Sequence, residues 1–303
     1  MQVGRCINFG NTLEAPREGR WGHPIRDIDL KRVKIGGFST VRLPVNFSAH
    51  AERNPPYRIE PALLDRVAEL VDKASSLSLN VIVDLHHFDA AMADPEGERE
   101  RFASIWRQIA KRLANAPSGV WFELLNEPKE KLTNEALPGF WEPALAAIRE
   151  SNPSRPVILG GGFTSAIESL DDLALPDDPY VVPTFHYYEP LAFTHQGASY
   201  LKPVLPMGRT WGSVADIARL DADLARVQRF MSRTGRVPFI GEFGAIQSVP
   251  HRQRLHYYRT VSSAFASIGI ASCAWSYRNT FQLAGRRHWR RGFPQSLAEP
   301  SRR

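Results

Sequence analysis

Two glutamates stand where a buried strand has no use for one. Glu127 closes Val120-Trp-Phe-Glu-Leu-Leu-Asn-Glu-Pro128, whose β-branched and aromatic weight reads as a buried strand. Pro128 stops the ladder directly behind it. Glu242 closes Val237-Pro-Phe-Ile-Gly-Glu-Phe-Gly244, where two glycines let other groups come close. A carboxylate at the end of a core strand is costly to desolvate unless something there uses it. Alone, each glutamate is equally a salt-bridge partner or a helix cap. Together, at the ends of two separated strands, they point to paired carboxylate chemistry. A glycosidic bond calls for such a pair, an acid for the leaving oxygen and a carboxylate for the sugar carbon.

Arg42 ends the second apolar run, in Val41-Arg-Leu-Pro44. An arginine on a core strand is normally an ion-pair member, and here that role and a catalytic one coincide. Beside one glutamate it keeps that carboxylate ionised, while desolvation keeps the other protonated. Asp84-Leu-His-His-Phe-Asp89 gathers metal-ligand types. Successive strand residues point to opposite faces, so His86 and His87 would not readily share an ion. No His-x-His or helix-borne pair supports a metal, and neither a metal nor another cofactor is expected. Asp84 is read as the partner of a barrel charge, and the histidines as hydrogen-bonding groups. Trp275, at a strand end, and Trp21 and Trp211, in loops, offer flat apolar faces suited to pyranose rings. Trp106 lies on a helical stripe and is read as core.

These residues need a frame that brings strand ends together. Eight short β-rich runs fall at 5–9, 39–43, 79–85, 120–125, 156–160, 180–186, 237–241 and 270–275. Amphipathic helical patterns lie between them, such as Leu63, Leu64, Val67, Leu70, Val71 and Ala74, opened by Pro61. Strand and helix alternate from end to end, which predicts an α/β protein: one (β/α)8 barrel spanning 1–303 as a single domain. The loops after strands are long and rich in aromatic and turn residues. Segment 10–26 carries Asn11, Glu14 and Trp21, and segment 186–212 carries His186, Tyr187, Tyr188, His195 and Trp211. Loops before strands are mostly short. In a barrel the long loops share the carboxyl face, where sites are built.

Hydrophobic content of 43% with 23% charged residues fits a globular chain rather than a disordered one. No apolar run reaches the roughly 20 residues of a membrane span. The net charge of +6 concentrates in Arg286-Arg-His-Trp-Arg-Arg291. With no binding motif beside it, this cluster reads as a basic, poorly ordered end over about 286–303, and no nucleic-acid partner is expected. No signal peptide is visible after Met1. Cys6 and Cys273 fall on neighbouring strands of the expected barrel, where a bridge is geometrically conceivable, but two packed thiols are the expectation.

Seven segments in order make a pattern: Ile7-Asn-Phe-Gly-Asn11, Val41-Arg-Leu-Pro44, Leu85-His-His87, Asn126-Glu-Pro128, His186-Tyr-Tyr188, Gly241-Glu-Phe-Gly244 and Trp275. In these the chain resembles glycoside hydrolase family 5, the cellulase family A, from about Gly4 to Trp275. It is especially similar to bacterial endo-β-1,4-glucanases with motifs like Asn11–Pro16 and Phe193–Ala198, some of which also cleave mannan. The resemblance implies a (β/α)8 retaining glycosidase with Glu127 as acid/base and Glu242 as nucleophile. It implies that Asn126 meets the sugar 2-hydroxyl and that Arg42 holds Glu242 ionised. His86, His186 and Tyr188 would complete the immediate surroundings, with Trp275 under the sugar beside the cleaved bond. Asn11, Glu14, His87, His195 and Trp211 would be further substrate contacts. The chain departs from the family at Cys6, where glycine is usual, and at Ser276, where close relatives often carry glutamate. After Ser276 the similarity decays, and a short or loosely packed last barrel segment is expected.

The sequence therefore leads to a retaining endo-β-1,4-glucanase acting on a β-linked polysaccharide or oligosaccharide, with no membrane partner. A β-mannanase or dual enzyme is the nearest alternative. A non-catalytic carbohydrate-binding barrel and a metal-dependent hydrolase at Asp84, His86, His87 and Asp89 are more remote. A polymeric substrate cannot enter a cell, so a secreted or periplasmic protein is expected.

Overall fold

Residues two apart on a strand share a face, and four strands of this chain use that step in the same way. Cys6 is followed two places on by Asn8, Thr40 by Arg42, Ile82 by Asp84 and Trp121 by Glu123. If the first member of each pair packs inside a barrel, the second lies one layer higher in the same interior. The structure, a computed structural model, describes residues 3–300. Among them eight parallel strands close into a barrel in chain order. They are β1 (Arg5–Asn8), β2 (Thr40–Val45), β3 (Asn80–Leu85), β4 (Val120–Glu123), β5 (Val157–Gly160), β6 (Val181–Tyr187), β7 (Phe239–Phe243) and β8 (Ser272–Ala274).

Helices Asp27–Ile35, Pro61–Ser76, Pro95–Arg112, Leu137–Arg149, Val214–Thr234 and His251–Ser267 lie between strands. Pro61 and Pro95 open two of them at the position where a missing N–H costs nothing. Ser213 and Asp216 cap Val214–Thr234 reciprocally. The apolar stripes of these helices pack on the outer strand faces as one large core. A second, smaller cluster containing Cys6, Ile82, Trp121, Ile158, Phe239 and Cys273 joins residues from opposite strands and fills the barrel floor. The polar residues two steps along form the layer above it.

Three expectations change. Arg42 lies in the middle of β2, which continues to Val45, rather than at its end. The cysteines are not packed thiols: Cys6 and Cys273 form a disulfide. β1 and β8 are the pair that closes the barrel, and their register sets the two residues directly opposite one another. The basic end is not loose over its described part. Trp289 stacks on Phe38 at 5.0 Å, and Phe293 and Leu297 are buried. Apolar residues spaced four apart anchor a stretch whose overall composition is basic. Residues 301–303 of that end lie outside the described residues.

Unfolded without reductant, the protein should titrate no thiol, and with reductant the two cysteines; thiols titrating without reductant would show the pair open. Replacing both cysteines by serine is expected to lower stability by about 2–5 kcal/mol, read from the denaturation midpoint.

Candidate active site

The register of the barrel builds the polar layer. It sets Asn8 beside Arg42, Asp84 beside Glu123, and His186 beside Glu242. Arg42 is completely buried at the centre. Its Nε and Nη2 donate to the two oxygens of Glu123 at 2.7 and 2.8 Å. Nη1 donates to Asn8 Oδ1 at 2.9 Å and Glu242 Oε1 at 2.8 Å. Nη2 also donates to Asn126 Oδ1 at 2.8 Å and lies 3.0 Å from Asp84 Oδ2. One guanidinium thus meets three carboxylates, Asp84, Glu123 and Glu242. Burial pushes the Asp84 carboxyl up to about 7 despite Arg42, and burial also raises Glu123.

Glu242 is held from its other side by Tyr188, whose hydroxyl donates to Oε2 at 2.8 Å. Gly241 beside it admits the neighbouring strand: a Cβ there would stand 2.9 Å from Thr184 Oγ1 and 3.1 Å from His186 Nε2. Glu127 lies past the end of β4 with φ at 47°, a conformation side-chain-bearing residues rarely adopt and one that clusters at functional sites. Its side chain keeps 36% exposure, the reverse of Glu242 at 6%. His186 Nδ1 lies 2.9 Å from Glu127 Oε1 and 3.8 Å from Glu242 Oε2. A carboxylate oxygen of Glu127, one of Glu242 and a His186 nitrogen all fall within 4.8 Å of one another. The Glu127 carboxyl opens to the cleft yet is otherwise walled by protein, and that desolvation pushes it up to about 7, against the opposing pull of Arg42 and Lys129. His186 is shifted down by burial and so stays neutral near neutral pH.

His86 and His87 both follow the end of β3 at Leu85, so strand alternation does not govern them. His86 Nδ1 lies 2.6 Å from Asp84 Oδ2, and its ring stacks on Trp275 at 5.7 Å with the planes within 4°. Gly10 makes room for that tryptophan, since a Cβ there would be 2.5 Å from the indole. Burial lowers His87, which feels the charges of Asp89, Glu127 and Lys129 and so stands on the Glu127 side. His195 packs edge-on against Tyr188 at 4.9 Å, and burial pulls it down to about 4. Among the described residues the only trio with metal-ligand geometry is Glu127, His186 and Glu242. It is the carboxylate pair itself and does not include Asp84, His87 or Asp89.

Arg42, Asn126, Glu127, His86, His186, Tyr188, Glu242 and Trp275 therefore come together, with His87 and His195 at the edges. Asn11 sits at the rim, with its Oδ1 accepting from Asn279. Two expected contacts stand elsewhere. Glu14 is 1% exposed, and its oxygens accept from the backbone N–H groups of Asn11 and Thr12, so it shapes its own loop. Trp211 is buried against His256 and Tyr257 of the helix His251–Ser267 and has no face for a sugar. Glu123 and Asn8 were not anticipated as members of the polar layer. The signal was present: each of the first four strands carries one polar residue inside an apolar run.

A (β/α)8 barrel with two close carboxylates at the carboxyl ends of β4 and β7 defines the class of barrel glycosidases. A sequence profile of the cellulase family, glycosyl hydrolase family 5, matches residues 8–280, and the chain belongs to that family. It is 35% identical over 274 residues to Endoglucanase H of Acetivibrio thermocellus, matching 90% of this chain but 29% of that protein. The chain spans about a third or less of that relative and of Cellulase/esterase CelE from the same organism. Among solved structures, it superposes on Thermotoga maritima Cel5A in complex with cellobiose with a TM-score of 0.95 at 34% identity, covering 98% of this chain and 97% of that one. The same protein in complex with mannotriose gives the same values. The cellulose synthase subunit Z of Clostridioides difficile follows at 32% identity and a TM-score of 0.94, covering 98% of this chain and 99% of that chain.

Arg42→Met leaves three buried carboxyl groups without their cation. It should cost about 3–5 kcal/mol of stability in urea unfolding. A loss below about 1 kcal/mol, the size of an exposed pair, would contradict the hub.

Proposed function

We propose that the protein is a retaining endo-β-1,4-glucanase, and the observation that carries this is the approach of Glu127 and Glu242 oxygens to within 4.8 Å. Carboxyl groups about 5 Å apart suit direct attack on the sugar, whereas inversion needs roughly 6.5–9.5 Å to admit a water. Glu127, protonated, donates its proton to the glycosidic oxygen as Glu242 attacks the anomeric carbon. The leaving sugar departs and a glycosyl ester forms on Glu242. Glu127, now a carboxylate, takes a proton from water, which attacks the same carbon and frees Glu242. Arg42 and Tyr188 hold the two oxygens of Glu242 in place. Because Arg42 occupies Asn126 Oδ1, the amide NH2 is left to donate to the sugar 2-hydroxyl. Trp275 serves as the platform beneath the attacked sugar.

The glucan is favoured as substrate by the endoglucanase relatives. Mannan is a second reading, favoured by the relative solved with both cellobiose and mannotriose. The Cys6–Cys273 bridge supports action in an oxidising compartment, hence export.

Reducing-end release on carboxymethyl-cellulose and on mannan, for wild type and Glu242→Ala, tests substrate and chemistry together. Activity on glucan that vanishes in the variant is expected; activity on mannan alone would move the substrate. Proton NMR of the first product should show the retained anomer, and the opposite anomer would end this mechanism.

The acid must be protonated and the nucleophile ionised, so kcat/KM should follow a bell-shaped profile whose alkaline limb falls as pH rises through the raised pKa of Glu127, about 7. Glu127→Gln should remove that alkaline limb and slow the reaction by about 100-fold or more. An unchanged limb would reassign the acid.

A further inference from the structure

Beside the cleft, but separate from the carboxylate pair, a cavity of about 280 Å³ lies between the loops that follow β1 and β8. Its size is close to the lower end of small-molecule sites. Phe9, Gly10 and Asn11 form one wall, and Gly10 is the residue packed against the Trp275 indole. The cavity and the Trp275 platform therefore share a wall. Asn11 and Asn279 tie the two loops together across it by a side-chain hydrogen bond. Both hold positive φ, 62° and 127°, conformations that cost energy outside glycine and concentrate where a ligand is held.

The charge of this cavity is one-sided. Arg278 and Arg286 line it, and Asp29 is the only acid among its lining residues. Asp29 is already shared by Arg26, Arg32 and Arg278 at 3.1–3.4 Å and accepts from the Tyr277 hydroxyl. The Arg286 side chain is exposed and pairs with no acid among the described residues. Trp21, 49% exposed, adds an apolar face. The position is equally informative. Glu127, the proton donor to the leaving sugar, follows β4, and in a closed eight-strand barrel β8 and β1 lie across from it. The cavity thus stands on the side of the attacked sugar and its non-reducing neighbours.

We propose that this cavity binds an anionic substituent, a carboxylate or phosphate, carried on the glycone side of a β-glucan chain. The proposal rests on the glycosidase reading above and adds a charge preference to it. The test compares cellopentaose with two counterparts whose non-reducing glucose is either oxidised at C6 to the carboxylate or phosphorylated there. At low salt the wild type should cut an anionic oligomer about fivefold more efficiently than the neutral one, the scale of an exposed ion pair. High salt should erase the advantage. Arg286→Glu should erase it too while leaving kcat/KM on cellopentaose unchanged. Which counterpart gains identifies the anion. Equal rates on all three oligomers in wild type, or an equal loss on all three in the variant, would overturn the proposal while the glycosidase reading stands. Calorimetric binding of the same oligomers to Glu242→Ala gives the independent readout. Tighter binding of an anionic oligomer there, with no wild-type hydrolysis of any of them, would keep the cavity and remove the glycosidase reading; no anionic preference there would overturn the cavity.

Discussion

A single buried guanidinium organises this barrel. Arg42 stands at the centre of an interior layer containing Asp84, Glu123 and Glu242, and its donors reach all three as well as Asn8 and Asn126. Buried charge of this kind is retained only where its partners are complete, because a missing partner leaves another group desolvated and unpaired. The floor beneath is apolar and closed by the Cys6–Cys273 bridge. The polar layer therefore has only the cleft side open, and the groups that face it are those left over once Arg42 has been satisfied.

That constraint separates two chemically identical side chains. Glu242 is gripped by Arg42 and Tyr188, with each oxygen engaged. Glu127 lies outside the layer, past the end of β4, and among the described residues its carboxyl group has His186 as its hydrogen-bonding side-chain partner. Desolvation without a directly bonded cation raises its pKa, which is what a group that must give up a proton near neutral pH requires. The division of labour follows from position relative to one arginine, not from the residues themselves. His86 is tied to the same layer through Asp84, so the stack it makes with Trp275 is fixed by the same network.

The sequence made the barrel legible because buried parallel strands read as short apolar runs and the helices between them keep their stripes. Glu127 and Glu242 stood out because each breaks such a run at its end. Glu123 did not, although it is almost fully buried, because the apolar run of the sequence goes on past it through Leu124 and Leu125 even though β4 ends there. The disulfide was missed for a different reason: it depends on the register of the closing strands, which no local pattern records. Trp211 and Glu14 lie in loops of the right composition, but their partners, Tyr257 on a distant helix and backbone amides of the same turn, are chosen by tertiary packing. The packed C-terminal segment was hidden by averaging, since its arginines outweigh the aromatic residues that anchor it.

The central claim is that Glu242 forms a bond to the sugar while Glu127 handles the proton. A 2-deoxy-2-fluoro cellobioside with a good leaving group should accumulate the glycosyl ester, because the fluorine slows both steps and the activated leaving group speeds only the first. Mass spectrometry of the digested protein is expected to place the added sugar on the peptide containing Glu242, with no labelling in Glu242→Ala. Sugar attached to any other residue, or turnover that never yields a labelled protein and gives the inverted anomer, would contradict the account.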